Sequence, residues 1–393
     1  MERVLKLIKS KTTKNIAYYS CNMVIRLIYC IISFIVPVSK NKVVIFNYNG
    51  KGYGDNPKYV AKEIYKTDKN AKIVWLVQKE DKMMPNFIKQ VKFYSLLGMI
   101  TCASSKVWIS NARLPLFLIK KKNQIYFQLW HGGCGPKKIE GAAKDKLIRW
   151  YISAAKHDSK MADYLVSNSK FNSEIFKKYF WYSGEILNYG SPRHDIFFYN
   201  NNEVLDRVDR VLGISKDKKV ILYAPTFRDD KKLDIYKWDY QAVIEAMNRK
   251  YGGDWVFICR LHPNISFLDT ELNYSNNIIN GSKYDDMQEL IKRADLVITD
   301  YSGVMMQAAL ARKLVLLLIP DKDKYKNDRG LCIDIEKTPF LQGNSYNDLI
   351  ELINSHNSEV YSEKLDEYLS KFGFYDDGHA SERVASMIKK LIN

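Results

Sequence analysis

Short runs of apolar, β-branched and aromatic residues recur along this chain, separated by longer polar stretches with helical spacing. The first series lies at residues 43–46, 73–77, 107–109, 125–129 and 164–166. A second lies at 220–223, 255–259, 296–299 and 314–319. Each run is too short for a helix and is bounded by polar or turn residues, so each predicts a strand. Intervening segments such as 57–65, and the C-terminal stretches 346–355, 360–369 and 380–392, carry the helical period. Strands alternating with helices predict parallel sheets joined by βαβ crossovers. At 393 residues the chain exceeds what one core usually supports. The charged tract 201–219 separates the two series and is the expected boundary between two α/β domains.

Charge narrows the partners without choosing one. Lys and Arg number 61 against 44 Asp and Glu, a formal net charge of +17. Such a surface suits nucleic acid, acidic lipid headgroups or phosphorylated substrates. The basic residues are spread along the chain and carry no nucleic-acid-binding motif, so no nucleic-acid partner is expected. Six cysteines (Cys21, Cys30, Cys102, Cys134, Cys259, Cys332) are scattered without a Cys-x-x-Cys. That spacing is neither a zinc site nor a disulfide framework and fits a reducing cytoplasm. No carboxylate cluster has metal-ligand spacing, and no cofactor is expected.

Residues 1–40 differ from the rest. Arg3, Lys6, Lys9, Lys11 and Lys14 precede an apolar, aromatic segment at 16–38 that is interrupted by Asn22 and Arg26. No small-x-small cleavage site follows, which argues against a signal peptide. A spanning helix needs about 20 apolar residues, and Arg26 sits mid-segment. The expectation is an interfacial helix on acidic lipid; the alternative is a helix packed on the first domain, since an amphipathic face serves both.

The chemistry-bearing residues gather where strands end, which is where open α/β sheets bind ligands. Gln128-Leu129-Trp130-His131-Gly132-Gly133-Cys134-Gly135-Pro136-Lys137-Lys138 runs from a strand into a histidine, a glycine turn and two lysines. A histidine exchanges protons near neutral pH, and lysines suit an anion. The plainer reading is a tight turn with the ring packed on Trp130. Glycines at 50, 52 and 54 predict a flexible, ligand-facing loop after the first strand. Tyr189-Gly190-Ser191-Pro192-Arg193-His194-Asp195 presents an arginine, as does Pro225-Thr226-Phe227-Arg228-Asp229 after its strand. Arg260-Leu261-His262-Pro263 offers a second histidine. In Thr299-Asp300-Tyr301-Ser302-Gly303, Asp300 or Ser302 is placed to cap a helix whose free N–H groups suit a phosphate. Plain capping would account for the same residues.

In order and spacing, these motifs resemble the CDP-glycerol glycerophosphotransferases of teichoic acid synthesis. The match is carried by Trp130-His131-Gly132 with Lys137-Lys138, Gly190-x-Pro192-Arg193-x-Asp195, Pro225-Thr226-Phe227-Arg228-Asp229, His262-Pro263 and Thr299-Asp300-Tyr301-Ser302. Arg329-Gly330, and Asp377-Gly378 with Ser381 and Arg383, add to it. The resemblance runs from Lys42 to the C-terminus. It implies a GT-B architecture, two Rossmann-like domains facing a cleft. The corresponding division is a membrane-associating segment 1–40, an acceptor domain 41–205, a CDP-polyol-binding domain 206–372, and a helix 373–393 returning to the first domain.

The resemblance also implies transfer of glycerol phosphate from CDP-glycerol to a polyprenyl-diphosphate-linked acceptor, releasing CMP, by a peripheral protein on the cytoplasmic face of an anionic membrane. It assigns His131 as base, counts His262 with it as catalytic, and sets His262, Asp300 and Ser302 around the nucleotide diphosphate. Lys137, Lys138, Arg193, Asp195, Thr226, Arg228, Asp229, Gly303 and Arg329 complete the expected substrate contacts, with Arg193 and Arg228 meeting charge on the phosphoryl oxygens. The chain departs from the family where Gly303 replaces a frequent second serine, where Met306-Gln307 follow, and where Gly133-Cys134-Gly135 intervenes. These departures bear on the polyol and the acceptor. CDP-ribitol as donor, a nucleotide sugar as donor on the same fold, and a non-catalytic nucleic-acid or lipid-binding protein remain the alternatives.

Overall fold

Strands buried on both faces of a parallel sheet require near-continuous apolar sequence, and the short runs supply it. The computed structural model describes residues 11–132, 134–200, 202–228, 235–262 and 265–392, without the side chains of 11, 12, 14, 266–268 and 326–329. Arg3, Lys6, Lys9, Gly133, Asp229 and Pro263, and the side chains of Lys11, Lys14 and Arg329, therefore lie outside the described residues. The chain forms two compact units. The first takes the chain up to His131, Ile139–Asp195, and Tyr375 onward; the second takes Gly132–Lys138 and Ile196–Phe374.

The first unit contains α1 (Lys11–Ile35), β1 (Ser39–Phe46), α2 (Asp55–Thr67), β2 (Lys72–Val77), β3 (Lys89–Lys92), α3 (Leu96–Ser104) and β4 (Ser105–Ser110). It continues with β5 (Ile125–Gln128), α4 (Arg149–Met161), β6 (Tyr164–Val166), α5 (Lys170–Tyr179) and β7 (Glu185–Leu187). The strands pair in parallel in the order β3-β2-β1-β4-β5-β6-β7, with Val43 of β1 opposite Ile73 and Val107. On β1, Val43 and Ile45 pack against Val60 and Ile64 of α2 and Val384 and Ile388 of the C-terminal helix (Ala380–Ile392). Val44 and Phe46 face Tyr29, Trp108 and Tyr126 on the other side. Burying each such side chain contributes about 1.5–3 kcal/mol. That C-terminal helix is drawn in by Asp195, whose carboxylate accepts from the N–H groups of Ala380 (2.9 Å) and Ser381 (2.7 Å), two of the donors every helix start leaves unpaired.

Of the two expectations for the N-terminus, packing on the first unit is the one α1 displays. Tyr18, Asn22 and Tyr29 are buried, and Tyr18 stacks on Trp150 with centroids 4.5 Å apart. The remaining face exposes Ile16, Met23, Leu27, Ile31 and Phe34, the last at 93%. By length and composition, Asn15–Ile35 is long and apolar enough to cross a membrane.

The second unit begins with α6 (Asn202–Leu212), β8 (Lys219–Tyr223), α7 (Tyr240–Tyr251), β9 (Trp255–Cys259), β10 (Ile278–Asn280) and α8 (Met287–Arg293). Then come β11 (Leu296–Thr299), α9 (Val304–Leu310), β12 (Leu314–Leu318), α10 (Lys322–Arg329), β13 (Leu341–Gly343), α11 (Tyr346–Ser355) and α12 (Ser358–Ser370). Its sheet is also parallel, in the order β10-β9-β8-β11-β12-β13. Both sheets thus carry the doubly wound order that reverses direction beside the first strand.

Two expectations are revised. The charged tract 201–219 lies within the second unit and not at the boundary: α6 buries Val204 and Val208, Arg293 pairs with Asp209 at 2.6 Å, and Arg207 pairs with Glu289 at 3.0 Å. The chain leaves the first unit at Asp195 instead. The glycine loop after β1 is tied down rather than loose. Asn47 Nδ2 donates to Lys51 O (2.8 Å) and Gly52 O (3.1 Å), and Gln78 N donates to Gly50 O at 2.7 Å. Gly50 is required there: φ is +92°, and a Cβ would come within 3.0 Å of Gln78 N.

Candidate active site

In the first unit the switch point lies between β1 and β4. Asn111, the residue after β4, binds both neighbouring loops. Its Nδ2 donates to Asn47 Oδ1 (2.8 Å) and its Oδ1 accepts from Tyr48 N (2.8 Å). Its carbonyl oxygen stands 2.6 Å from His131 Nδ1. A carbonyl only accepts, so Nδ1 carries the proton and the neutral ring presents Nε2 as an acceptor. Burial pushes the His131 pKa below its ordinary value; the Arg193 charge adds to this, while the Asn111 carbonyl, Asp55 and Glu140 oppose it. The ring is partly buried and lies edge-on to Tyr48, centroids 5.2 Å apart.

The backbone around this imidazole is strained. Tyr48, Asn49, Asp55 and Trp130 all have left-handed φ values, from 43° to 57°. Such conformations cost about 1–3 kcal/mol each and persist where the surroundings over-determine them, commonly at functional sites. Asn56 is one such restraint. Its Nδ2 donates to Trp130 O at 2.8 Å, and its Oδ1 accepts from Ser191 Oγ (2.9 Å) and Arg193 N (3.0 Å). Arg193 is buried and its Nη1 donates to Asp55 Oδ2 at 2.8 Å, an oxygen that Tyr48 OH also reaches at 2.5 Å. Arg193 and Asp195 thus serve the framework of the first unit: one guanidinium paired with a carboxylate, one carboxylate at a helix start.

The second unit holds a cavity of about 200 Å³ at the carboxyl ends of its strands, where Lys137, Thr226, Arg260, His262 and Ser302 meet. Lys137 reaches it because its segment is stitched to the 330–332 segment: Lys137 bridges Leu331, Lys138 N donates to Gly330 O (3.2 Å), and Cys332 N donates to Pro136 O (2.7 Å). Lys138 itself is exposed. Burial pulls the His262 pKa down to about 4, helped by the charges of Lys137 and Arg260 and opposed by Asp300. At neutral pH the histidine is uncharged, and Lys137 and Arg260 are the cationic side chains of the cavity lining.

Asp300 does not cap a helix. It accepts from Thr226 N (2.9 Å) and Thr226 Oγ1 (2.5 Å), tying the end of β8 to the end of β11. Arg228 donates to Asp300 at 2.8 Å and to Asp321 at 2.7 Å, so two carboxylates engage the guanidinium expected to face a ligand. Ser302 Oγ accepts weakly from Val304 N (3.3 Å), and Gly303 occupies the cap position of α9. Among the described residues, no three His, Cys, Asp or Glu side chains are grouped to hold a metal ion.

Sequence reasoning missed Asn111, Asn56, Tyr48 and Asp55, and it passed over Arg260 in favour of its neighbour His262. Asn111 and Arg260 follow strands directly, so the strand-end rule that found His131 covers them. Asn56 lies 74 residues from Trp130, and its role leaves no local trace.

The model of the family described as CDP-glycerol:poly(glycerophosphate) glycerophosphotransferase matches residues 28–390. A teichoic acid poly(glycerol phosphate) polymerase of Staphylococcus epidermidis is 34% identical over 90% of this chain and 51% of the relative. The chain therefore spans about half the length of that polymerase. A teichoic acid glycerol-phosphate transferase of Staphylococcus aureus is 30% identical over 90% of this chain and 94% of its own. A solved structure of the wall teichoic acid polymerase TagF superimposes with a TM-score of 0.83 at 30% identity, covering 97% of each chain. With its two Rossmann-type sheets, the chain has the GT-B fold.

Proposed function

Because the chain belongs to the CDP-glycerol:poly(glycerophosphate) glycerophosphotransferase family, we propose that it transfers glycerol phosphate from CDP-glycerol to a hydroxyl of a lipid-linked acceptor. The acceptor hydroxyl gives its proton to His131 Nε2 and attacks the β-phosphorus. A P–O bond forms there, the bond to the bridging oxygen breaks, and CMP leaves. The observation that carries this reading is the fixed tautomer of His131, with Nδ1 bonded to the Asn111 carbonyl and burial keeping the ring uncharged. A positioned histidine base contributes about 10²–10⁴-fold. Lys137, Arg260, His262 and Ser302 take the diphosphate, and stabilising its developing charge is the main catalytic task in phosphoryl transfer.

The acceptor is a polyprenyl-diphosphate-linked glycan or polyol at the cytoplasmic membrane face. Supporting this is the exposed apolar face of α1, extended by Tyr94, Leu96 and Leu97 at the start of α3, which packs beside α1. An apolar face with basic residues near it suits an anionic lipid surface. Incubation with CDP-glycerol, CDP-ribitol and UDP-sugars on acceptor-bearing vesicles tests the reading. CMP release with CDP-glycerol is expected. Turnover of CDP-ribitol alone would reassign the donor, and UDP release would replace the reaction class. Product length separates single addition from polymerisation.

A further inference from the structure

A buried polar network behind the histidine is not used by the mechanism above. Gln128, the last residue of β5, is 1% exposed. Its Oε1 accepts from Trp130 N at 2.9 Å. Its Nε2 lies within bonding distance of Ala112 O (3.1 Å), Tyr126 OH (2.8 Å) and Asp158 Oδ2 (3.2 Å). Asp158 is fully buried and also accepts from Arg113 Nη1 (3.1 Å), Leu114 N (3.1 Å) and Tyr126 OH (2.8 Å). Arg113 is neutralised further by Glu140 at 3.0 Å, and its guanidinium lies over the Trp130 ring, 5.2 Å from the centroid.

This much satisfied charge behind one turn needs a reason. A bulky residue at φ +51°, as Trp130 is, relaxes toward the right-handed region unless both flanking peptides are held. Gln128 holds the N–H side of Trp130, and Asn56 holds the carbonyl side at 2.8 Å. The very next residue is His131, whose own ring bond to Asn111 requires that the turn keep this shape.

We propose that Gln128, oriented by Asp158, is a positioning residue: it locks Trp130 in the left-handed conformation and so aims the His131 imidazole at the acceptor hydroxyl. The proposal rests on the transferase reading for its kinetic consequences, but its structural content stands apart from them. Gln128 touches no ligand in this scheme. It acts through the backbone, and because it belongs to the first unit, donor binding by the second unit's cavity does not depend on it.

The test uses the full chain on acceptor-bearing vesicles. Gln128→Leu keeps the volume and removes both hydrogen-bonding ends. The expected result is a kcat lower by about 10–100-fold, the scale of a misaimed catalytic group, with KM for CDP-glycerol within twofold of wild type. In the same protein, the ¹H–¹⁵N signal of the His131 Nδ1–H should shift or broaden, since its bond to Asn111 loosens.

Gln128→Glu supplies a second readout. Its carboxylate faces Asp158, with Tyr126 OH and the Arg113 charge behind, so only the protonated acid can donate as the amide does. Around His131 itself the charged and titratable neighbours are Asp55, Arg193, Glu140 and Tyr48. Activity relative to wild type should therefore rise as pH falls toward 6, the direction opposite to loss of a histidine base. A wild-type His131 signal with wild-type kcat in Gln128→Leu overturns the proposal. So does a fall in activity that merely tracks the folded fraction, with the signal and the pH profile of Gln128→Glu unchanged. If the wild-type protein releases no CMP, the transferase reading fails, while the His131 signal still decides whether Gln128 holds the ring.

Discussion

The residue after β4 and the residue after β11 stand at equivalent places in two sheets of like strand order, and they are opposites. Asn111 is a neutral amide that binds two loops and offers its carbonyl to an imidazole. Asp300 is a carboxylate that gathers a threonine and an arginine. In the first unit, the buried Arg113 and Arg193 are paired with Glu140, Asp158 and Asp55, and burial lowers the pKa of the neighbouring His131. In the second, Asp300 and Asp321 are paired with Arg228, and Lys137 and Arg260 line a cavity with His262. One topology thus carries an imidazole held by a backbone carbonyl in one copy and a cavity lined by two cationic side chains in the other.

The strongest way to break this comparison is His131→Ala. CMP release should fall about 10²–10⁴-fold, while calorimetric binding of CDP-glycerol is retained. Loss of binding in a folded variant would move the histidine into donor recognition. Next is Asp55→Ala, which strands the buried Arg193 guanidinium and should cost about 3–5 kcal/mol in denaturant unfolding. Asp300→Ala should cost less, because Arg228 keeps Asp321. If the two cost the same, the pairing is not what separates the units.

A smaller effect is expected from Lys137→Ala or Arg260→Ala. Removing one charged donor from the cavity should raise KM for CDP-glycerol about 10–100-fold with kcat little changed. Equal losses in kcat would make the cation a transition-state contact instead.

Acid titration should have the smallest effect on the fold. Both histidines have folded pKa values below the ordinary 6.5, His262 at about 4. Their neutral forms favour the fold fully above pH 6.5; that contribution is lost as pH falls from 6.5 through the folded values, because the unfolded chain takes up protons first. An unfolding series between pH 7 and 4 reads it. A bound diphosphate adds negative charge beside His262 and should raise its pKa, visible as a shifted imidazole titration. An unshifted titration would place the diphosphate elsewhere.

Nine strands were legible as apolar runs, and the four that were not, β3, β7, β10 and β13, are the four sheet edges. An edge strand has one strand neighbour and tolerates charge, as Lys89, Lys92 and Glu185 show, so its pattern merges with loop. The same logic hid α6, whose charges read as a domain boundary, whereas Arg207 of α6 pairs with Glu289 of α8 and Asp209 of α6 with Arg293 of α8. The positions of His131, His262 and Lys137 after strands or in a glycine turn were legible because those are local features. The roles of Arg193 and Arg228 were not, because a lone arginine after a strand looks the same whether its partner is a ligand or a carboxylate.

By itself the sequence determined two parallel α/β units and the placing of polar and titratable residues, His131 among them, just beyond their strands. Those follow from apolar runs and turn residues acting over a few positions. Only the tertiary structure decided which partner each buried charge meets. Arg193 meets Asp55 across 138 residues and Thr226 meets Asp300 across 74, and a buried charge takes whichever partner the fold delivers.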